Sequence, residues 1–169
     1  MLSHDALSSV IALIDALKRR NETLATAESC TGGLLGSALT HFPGTSAIYL
    51  GGINAYSNSL KESLLNVSVG LMIEHGAVSE QVASVMARQV RLMCDSVWSV
   101  AITGVAGPSG GTAAKPVGLV CFAIEHRTGH VRSWNRHYLG TREAIRDQAV
   151  GEAASGLTAA LLADEPYKV

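Results

Sequence analysis

Thr26-Ala27-Glu28-Ser29-Cys30-Thr31-Gly32-Gly33 is the stretch that most constrains what this chain can fold into. Small and β-branched residues from Thr23 to Ala27 read as a strand, which stops at a cluster of hydroxyls and glycines before Leu34 to Thr40 continue helically. A strand that ends this way sets polar side chains and backbone amides at the carboxyl end of a sheet, where open α/β folds bind their ligands. Ser29 is the leading candidate for a reactive group. Thr31 is placed to cap the following helix, and Gly32 and Gly33 leave room for close backbone approach.

The flanking segments alternate between helical and extended patterns. Leu7, Val10, Ile11, Ile14 and Leu17 recur at helical spacing from Ser3 to Arg20, with Asp5 near the start and basic residues in the last turn. Pro43-Gly44 marks a turn before a second strand from Ala47 to Ala55, and Asn58 is the expected cap of a helix carrying Lys61, Leu64 and Leu65. Ser79-Glu80 opens a helix whose Val82, Val85, Met86, Val90 and Met93 are expected to face the core. Val97 to Ile102 is a β-branched strand running into the glycine-rich Thr103–Gly111 loop. Gly118 to Glu125 and His130 to Tyr138, joined by Arg127-Thr128-Gly129, read as an antiparallel pair. A last helix from Thr141 presents Ile145, Ala149, Ala153, Leu157 and Leu161, with Arg142 and Arg146 near its start, and 164–169 reads as a polar tail. The alternation predicts one α/β domain spanning residues 1–169.

Composition narrows the function. Lys plus Arg number 13 against 14 for Asp plus Glu, so there is no net field to draw nucleic acid or an anionic membrane, and a small-molecule partner fits better. No apolar run is long enough to span a bilayer, and the first twenty residues lack the pattern of a targeting peptide. Cys30, Cys94 and Cys121 are odd in number and without CxxC spacing, which fits a reducing cytoplasm better than a disulfide framework or a zinc site. The six histidines form no ligand motif, so no metal is expected.

Read singly, each polar candidate also fits a structural role: Ser29 as a cap, Lys61 as a solvated side chain, Tyr56 as a strand-end aromatic, Arg142 and Arg146 on an exposed helix face. The loop glycines Gly104 and Gly107 fit a flexible turn equally well. A glycine-rich loop after a strand can also wrap a phosphate with its amides. A lysine in a first helical turn meets the positive end of the macrodipole, which favours its neutral, basic form.

Several motifs in order carry a resemblance to a known family: Thr26 to Gly33 (TAESCTGG), Tyr56-Ser57-Asn58 with Lys61, His75 to Glu80 (HGAVSE), and Thr103 to Gly118 with its GPSGG and KPVG segments. The chain resembles the CinA C-terminal domain family, whose stand-alone members include nicotinamide mononucleotide deamidases. The resemblance covers nearly the whole chain. It implies a three-layer α/β/α single domain with a mixed sheet, no metal or organic cofactor, and hydrolysis of the carboxamide of nicotinamide mononucleotide to the acid and ammonia; the alternatives are a catalytically silent nucleotide-binding or interaction module of the same fold and an amidase for another small carboxamide. On that reading Ser29 is the nucleophile, Lys61 the base that takes its proton, and Tyr56 a proton relay or orienting group. Backbone amides after Ser29 are the expected oxyanion donors. Thr31, Gly32, Gly33, Thr103, Gly104, Gly107 and Arg146 are the expected holders of the nucleotide. Members often carry arginine where this chain has Gly51, and threonine where it has Ala55. A symmetric dimer is the expected assembly, given the 47% hydrophobic content.

Overall fold

The computed structural model describes residues 2–163; the polar tail expected at 164–169 lies outside them. Five strands form one sheet in the order β2-β1-β3-β4-β5. They are β1 (Leu24–Glu28), β2 (Tyr49–Asn54), β3 (Trp98–Gly104), β4 (Leu119–His126) and β5 (Val131–His137). β1 runs parallel to β2 and β3, β4 is antiparallel to β3, and β5 is antiparallel to β4. The sheet is mixed, as expected, because the tight Arg127-Thr128-Gly129 turn allows only an antiparallel return.

Helices cover both faces. On one side α1 (His4–Arg20), α2 (Leu34–Thr40) and α6 (Arg142–Leu162) close over Leu24, Trp98, Val100, Phe122 and Ile124. On the other, α3 (Asn58–Leu65), α4 (Val69–His75) and α5 (Glu80–Cys94) close over Ala25, Ala27, Ala101 and Ala123. Strand alternation divides the two sets, since successive side chains of β1 and β3 point to opposite layers. The layer that receives alanines lets α5 lie close to the sheet, and Val82, Ala83, Met86, Ala87 and Val90 are fully buried there. Trp134 and Phe122 stack at 5.3 Å between centroids on the opposite layer.

This topology places the site. β1 is followed by α2 on one face and β2 by α3 on the other, so the chain parts at the shared carboxyl end of the parallel strands and leaves a crevice there. The amino end of the sheet is closed by paired polar groups instead. Arg91 Nε donates to Glu125 Oε1 at 2.9 Å, with Glu125 only 2% exposed, and Glu22 accepts from the Trp98 indole at 2.6 Å and from Arg20.

Some local expectations are corrected. Thr31 does not cap α2: the helix begins later, after Gly33, whose φ of +89° suits glycine and which makes no side-chain cap bond. Ser57, not Asn58, caps α3 by accepting from the Leu60 amide at 3.2 Å. Met93 lies on the solvent side of α5, 56% exposed, because the apolar stripe ends at Val90. The short α4 had no expected counterpart, and it buries none of its residues, so it carries no periodic apolar pattern to read.

Glu125 makes a direct test of the amino-end closure. Arg91→Ala leaves its carboxylate buried without a cation and is expected to cost about 3 kcal/mol or more, read as a lowered midpoint in urea denaturation at neutral pH.

Candidate active site

The crevice is built from four pieces of backbone. Ser29 follows β1 directly, and its amide donates to Ile102 O at 2.9 Å, which extends the β1–β3 pairing to the serine itself. The Ala55 amide donates to Glu28 O at 2.9 Å and brings Tyr56 alongside. The chain then turns into α3, so that Lys61, the fourth residue of that helix, points back under the crevice. From β3 the glycine-rich loop leaves at Val105 and returns at Gly118, pinched by Val105 N to Leu119 O (2.8 Å) and Gly118 N to Val105 O (2.7 Å). Gly104 sits where strand, loop and serine turn crowd together: a Cβ there would stand 2.9 Å from Leu119 O and 3.1 Å from Cys30 Sγ.

At the floor of this cleft, about 270 Å³ in volume, Lys61 Nζ donates to Ser29 Oγ at 2.9 Å. Both residues are buried, at 3% and 6% exposure. Nζ also reaches the Tyr56 carbonyl at 3.5 Å, and among the described residues no carboxylate pairs with it. Burial therefore pushes the Lys61 amine below the ordinary lysine range, only weakly opposed by the nearby Cys30 sulfur. A lysine held this way stores its basicity next to a hydroxyl. The Cys30 thiol, by contrast, is pushed up to about 12 by burial and stays protonated.

Tyr56 lies at the mouth, 61% exposed, and its hydroxyl accepts from Arg142 Nη2 at 3.0 Å rather than touching Lys61. Its contribution to the amine is its backbone carbonyl. Arg142 Nη1 donates to Gly107 O at 2.8 Å, so one guanidinium ties the glycine-rich loop to Tyr56 across the opening. Thr103, Gly104 and Gly107 line the cleft as well, with the Thr103 hydroxyl donating to Ala77 O at 3.0 Å.

Four expected binding residues are not on the cleft wall. Thr31 is fully buried, and Arg146 Nη2 donates to its carbonyl at 2.7 Å, so Arg146 braces the serine turn from behind. Gly32 stands beside that guanidinium, and Gly33 turns its amide away to Glu28 Oε2 at 3.1 Å. Gly51 and Ala55 also lie off the wall. Gly51 is on the edge strand β2, with open space for 4 Å around the point where a Cβ would stand, and Ala55 is buried against α5. Arg142 is the residue that spacing alone did not single out. It lies one turn before Arg146 on the same helix face, and only its reach over Gly107 distinguishes it. In a second groove of about 420 Å³, Glu80 accepts from the Ser133 hydroxyl at 2.9 Å and from the Asn135 amide at 2.6 Å, and among the described residues no lysine is in contact with that serine.

The family model for the CinA C-terminal domain matches residues 7–161. A CinA-like protein of Prochlorococcus marinus subsp. pastoris is 49% identical over 144 residues, covering 85% of this chain and 33% of the relative. One from a Synechococcus species is 46% identical over 161 residues, covering 94% of this chain and 38% of the relative. The chain thus spans about a third of the length of the curated relatives it matches. Among solved structures, the competence/damage inducible protein CihA from Agrobacterium tumefaciens superposes with a TM-score of 0.90 at 37% identity, covering 95% of this chain and 98% of that one. A CinA superfamily protein from Klebsiella pneumoniae superposes with a TM-score of 0.88 at 34% identity, over 92% of this chain and 97% of that one. With the family model matching residues 7–161 and relatives 46–49% identical over most of its length, the chain belongs to the CinA C-terminal domain family.

Proposed function

We propose that the protein hydrolyses the carboxamide of nicotinamide mononucleotide to nicotinic acid mononucleotide and ammonia, with Ser29 as nucleophile and Lys61 as its base. The observation that carries this reading is the buried 2.9 Å contact between Lys61 Nζ and Ser29 Oγ, with no carboxylate among the described residues paired to the amine. A serine hydroxyl is a weak nucleophile until a base takes its proton, and a lysine serves when desolvation keeps it neutral.

In the reaction, Ser29 Oγ bonds to the carboxamide carbon while its proton passes to Lys61 Nζ. The carbonyl oxygen takes up negative charge. Most amides of the serine turn are already committed: Ser29 N to Ile102 O, Gly32 N to Ser29 O, Gly33 N to Glu28 and Leu34 N to Thr31 O. Cys30 follows the nucleophile, lines the cleft, and its amide has no backbone acceptor among the described residues, which makes it the natural oxyanion donor. Lys61 then returns the proton to the nitrogen, the carbon–nitrogen bond breaks and ammonia leaves. Water attacks the acyl-serine carbon, Lys61 takes its proton, and the carbon–Oγ bond then breaks as Lys61 returns that proton to Ser29 Oγ, giving the acid and the free serine. The Tyr56 carbonyl keeps the amine aimed through both halves.

Arg142 supports a nucleotide rather than a neutral amide. Its guanidinium sits at the mouth with two donors spent on Gly107 O and Tyr56 Oη, and its remaining N–H groups can meet a phosphate. The loop from Gly107 to Gly110 forms the facing wall. No organic cofactor or metal is needed for an amide hydrolysis of this kind.

Ammonia release from nicotinamide mononucleotide, followed by a coupled assay, tests the reading. Ser29→Ala and Lys61→Ala should each lower kcat by about a thousandfold or more while keeping a native melting curve. Undiminished release from Ser29→Ala would overturn it. Arg142→Ala should raise KM about tenfold or more and change kcat less, with the loss absent for a substrate lacking the phosphate.

The depressed Lys61 pKa also has a stability consequence. Burying the charged amine costs the folded state most where lysine is protonated in both states, and that cost fades as pH climbs from the folded value to the ordinary 10.5. Lys61→Met should therefore be more stable than the parent at pH 7, and the gap should narrow as pH approaches 10.5. Chemical denaturation across that range checks both the sign and the trend.

A further inference from the structure

Glu28 is the most completely buried carboxylate next to the site, at 1% exposure, and the steps above make no use of it. Because neighbours on a strand point to opposite faces, Ser29 faces Lys61 on the α3 side while the Glu28 side chain turns to α2. There it accepts three backbone hydrogen bonds. Gly33 N and Leu35 N donate to Oε2, each at 3.1 Å, and Gly36 N donates to Oε1 at 2.8 Å. No cation pairs with it among the described residues.

This arrangement differs from an ordinary helix cap. An ordinary cap is local, one residue before the helix, and answers only the helix start. Here the acceptor lies five to eight residues upstream, on the strand end adjacent to the serine, so its bonds close the 29–33 turn into a ring. The site of Gly36 is cut to fit: a Cβ there would stand 3.6 Å from Glu28 Oε1 and 2.6 Å from the Tyr49 hydroxyl. Arg146 grips the same turn through Thr31 O. The three amides Glu28 takes up are also removed from competition for a developing oxyanion, while the Cys30 amide lies beside the cleft.

We propose that Glu28 is a positioning residue for catalysis: through the Gly33, Leu35 and Gly36 amides it fixes the turn so that Ser29 Oγ and the Cys30 amide address the same carbonyl. The assignment rests on Ser29 being the nucleophile. Glutamine in its place turns an NH₂ group toward N–H donors and forces the turn to shift, and displacement of a reacting atom by about 1 Å is enough to cost about a hundredfold in rate.

The test is the rate at which an alkyl fluorophosphonate modifies Ser29, followed by mass spectrometry, in the parent, Glu28→Gln and Glu28→Asp. The reagent forms an oxygen–phosphorus bond and expels fluoride, so it reads nucleophile geometry without needing the natural substrate. Glu28→Gln should react about tenfold to a hundredfold more slowly, and Glu28→Asp should recover part of the rate. Calorimetry on the Ser29→Ala background should show nicotinamide mononucleotide binding within twofold with and without Glu28→Gln. Parent-like labelling of Glu28→Gln would overturn the proposal. So would parallel loss of labelling and binding, or a failure of both variants to fold, since either makes Glu28 a folding residue. If the parent itself is not labelled, the nucleophile reading falls and this assignment with it. If the parent is labelled but does not bind the nucleotide, only the substrate reading falls, and the labelling rates still decide Glu28.

Discussion

The structure turns on one unfavourable placement, a lysine amine buried against a serine hydroxyl with no carboxylate among the described residues to neutralise it. A charged amine there would forfeit its hydration for two weak acceptors, the Ser29 hydroxyl and the Tyr56 carbonyl. The neutral amine has no such difficulty. Packing fixes the helix that carries the amine: Leu65 and Val67 at the end of α3 share a buried cluster with Val82 and Met86 of α5.

Acids are present near this end of the sheet, yet geometry keeps them from quenching the base. Glu28 is one residue from Ser29 and faces the opposite layer, where backbone amides satisfy it. The strand pleat, rather than distance along the chain, separates an acid from a base that would otherwise pair. At the amino end the same sheet shows the opposite policy. Arg91 meets Glu125, and Glu22 collects Arg20 and the Trp98 indole. At that end the charges are paired with one another, whereas among the described residues the Lys61 amine meets only a hydroxyl and a carbonyl.

The mouth of the cleft depends on a different element. Arg142 joins a loop that follows β3 to a tyrosine that follows β2, so a residue 86 positions from Tyr56 sets the width of the opening. Its neighbour one turn on, Arg146, works beneath the surface on the serine turn. Two arginines of similar sequence context thus divide into one that lines the cleft and one that braces the serine turn from behind.

Much of this was legible in the chain. Apolar periodicity identified α1, α5 and α6, β-branched runs identified β3 and β4, and the abrupt end of β1 at Ser29 marked the crevice, because these signals are local and follow directly from 3.6- and 2-residue repeats. Helix capping was less legible: Thr31 had the right chemistry for a cap, but Glu28, reaching back from the strand, answered the α2 amides first. The short α4 left no trace because none of its residues is fully buried, and only Leu71 and Met72 pack partly against the core. What the sequence determined by itself was most of the elements and the polar residue types that stand at the strand ends. The choice of partners was decided only in three dimensions. Whether Lys61 met Ser29, which arginine reached the mouth and which way Glu28 pointed depended on strand order, pleat and crossover direction, and the first two of these pairings join residues 32 and 86 positions apart.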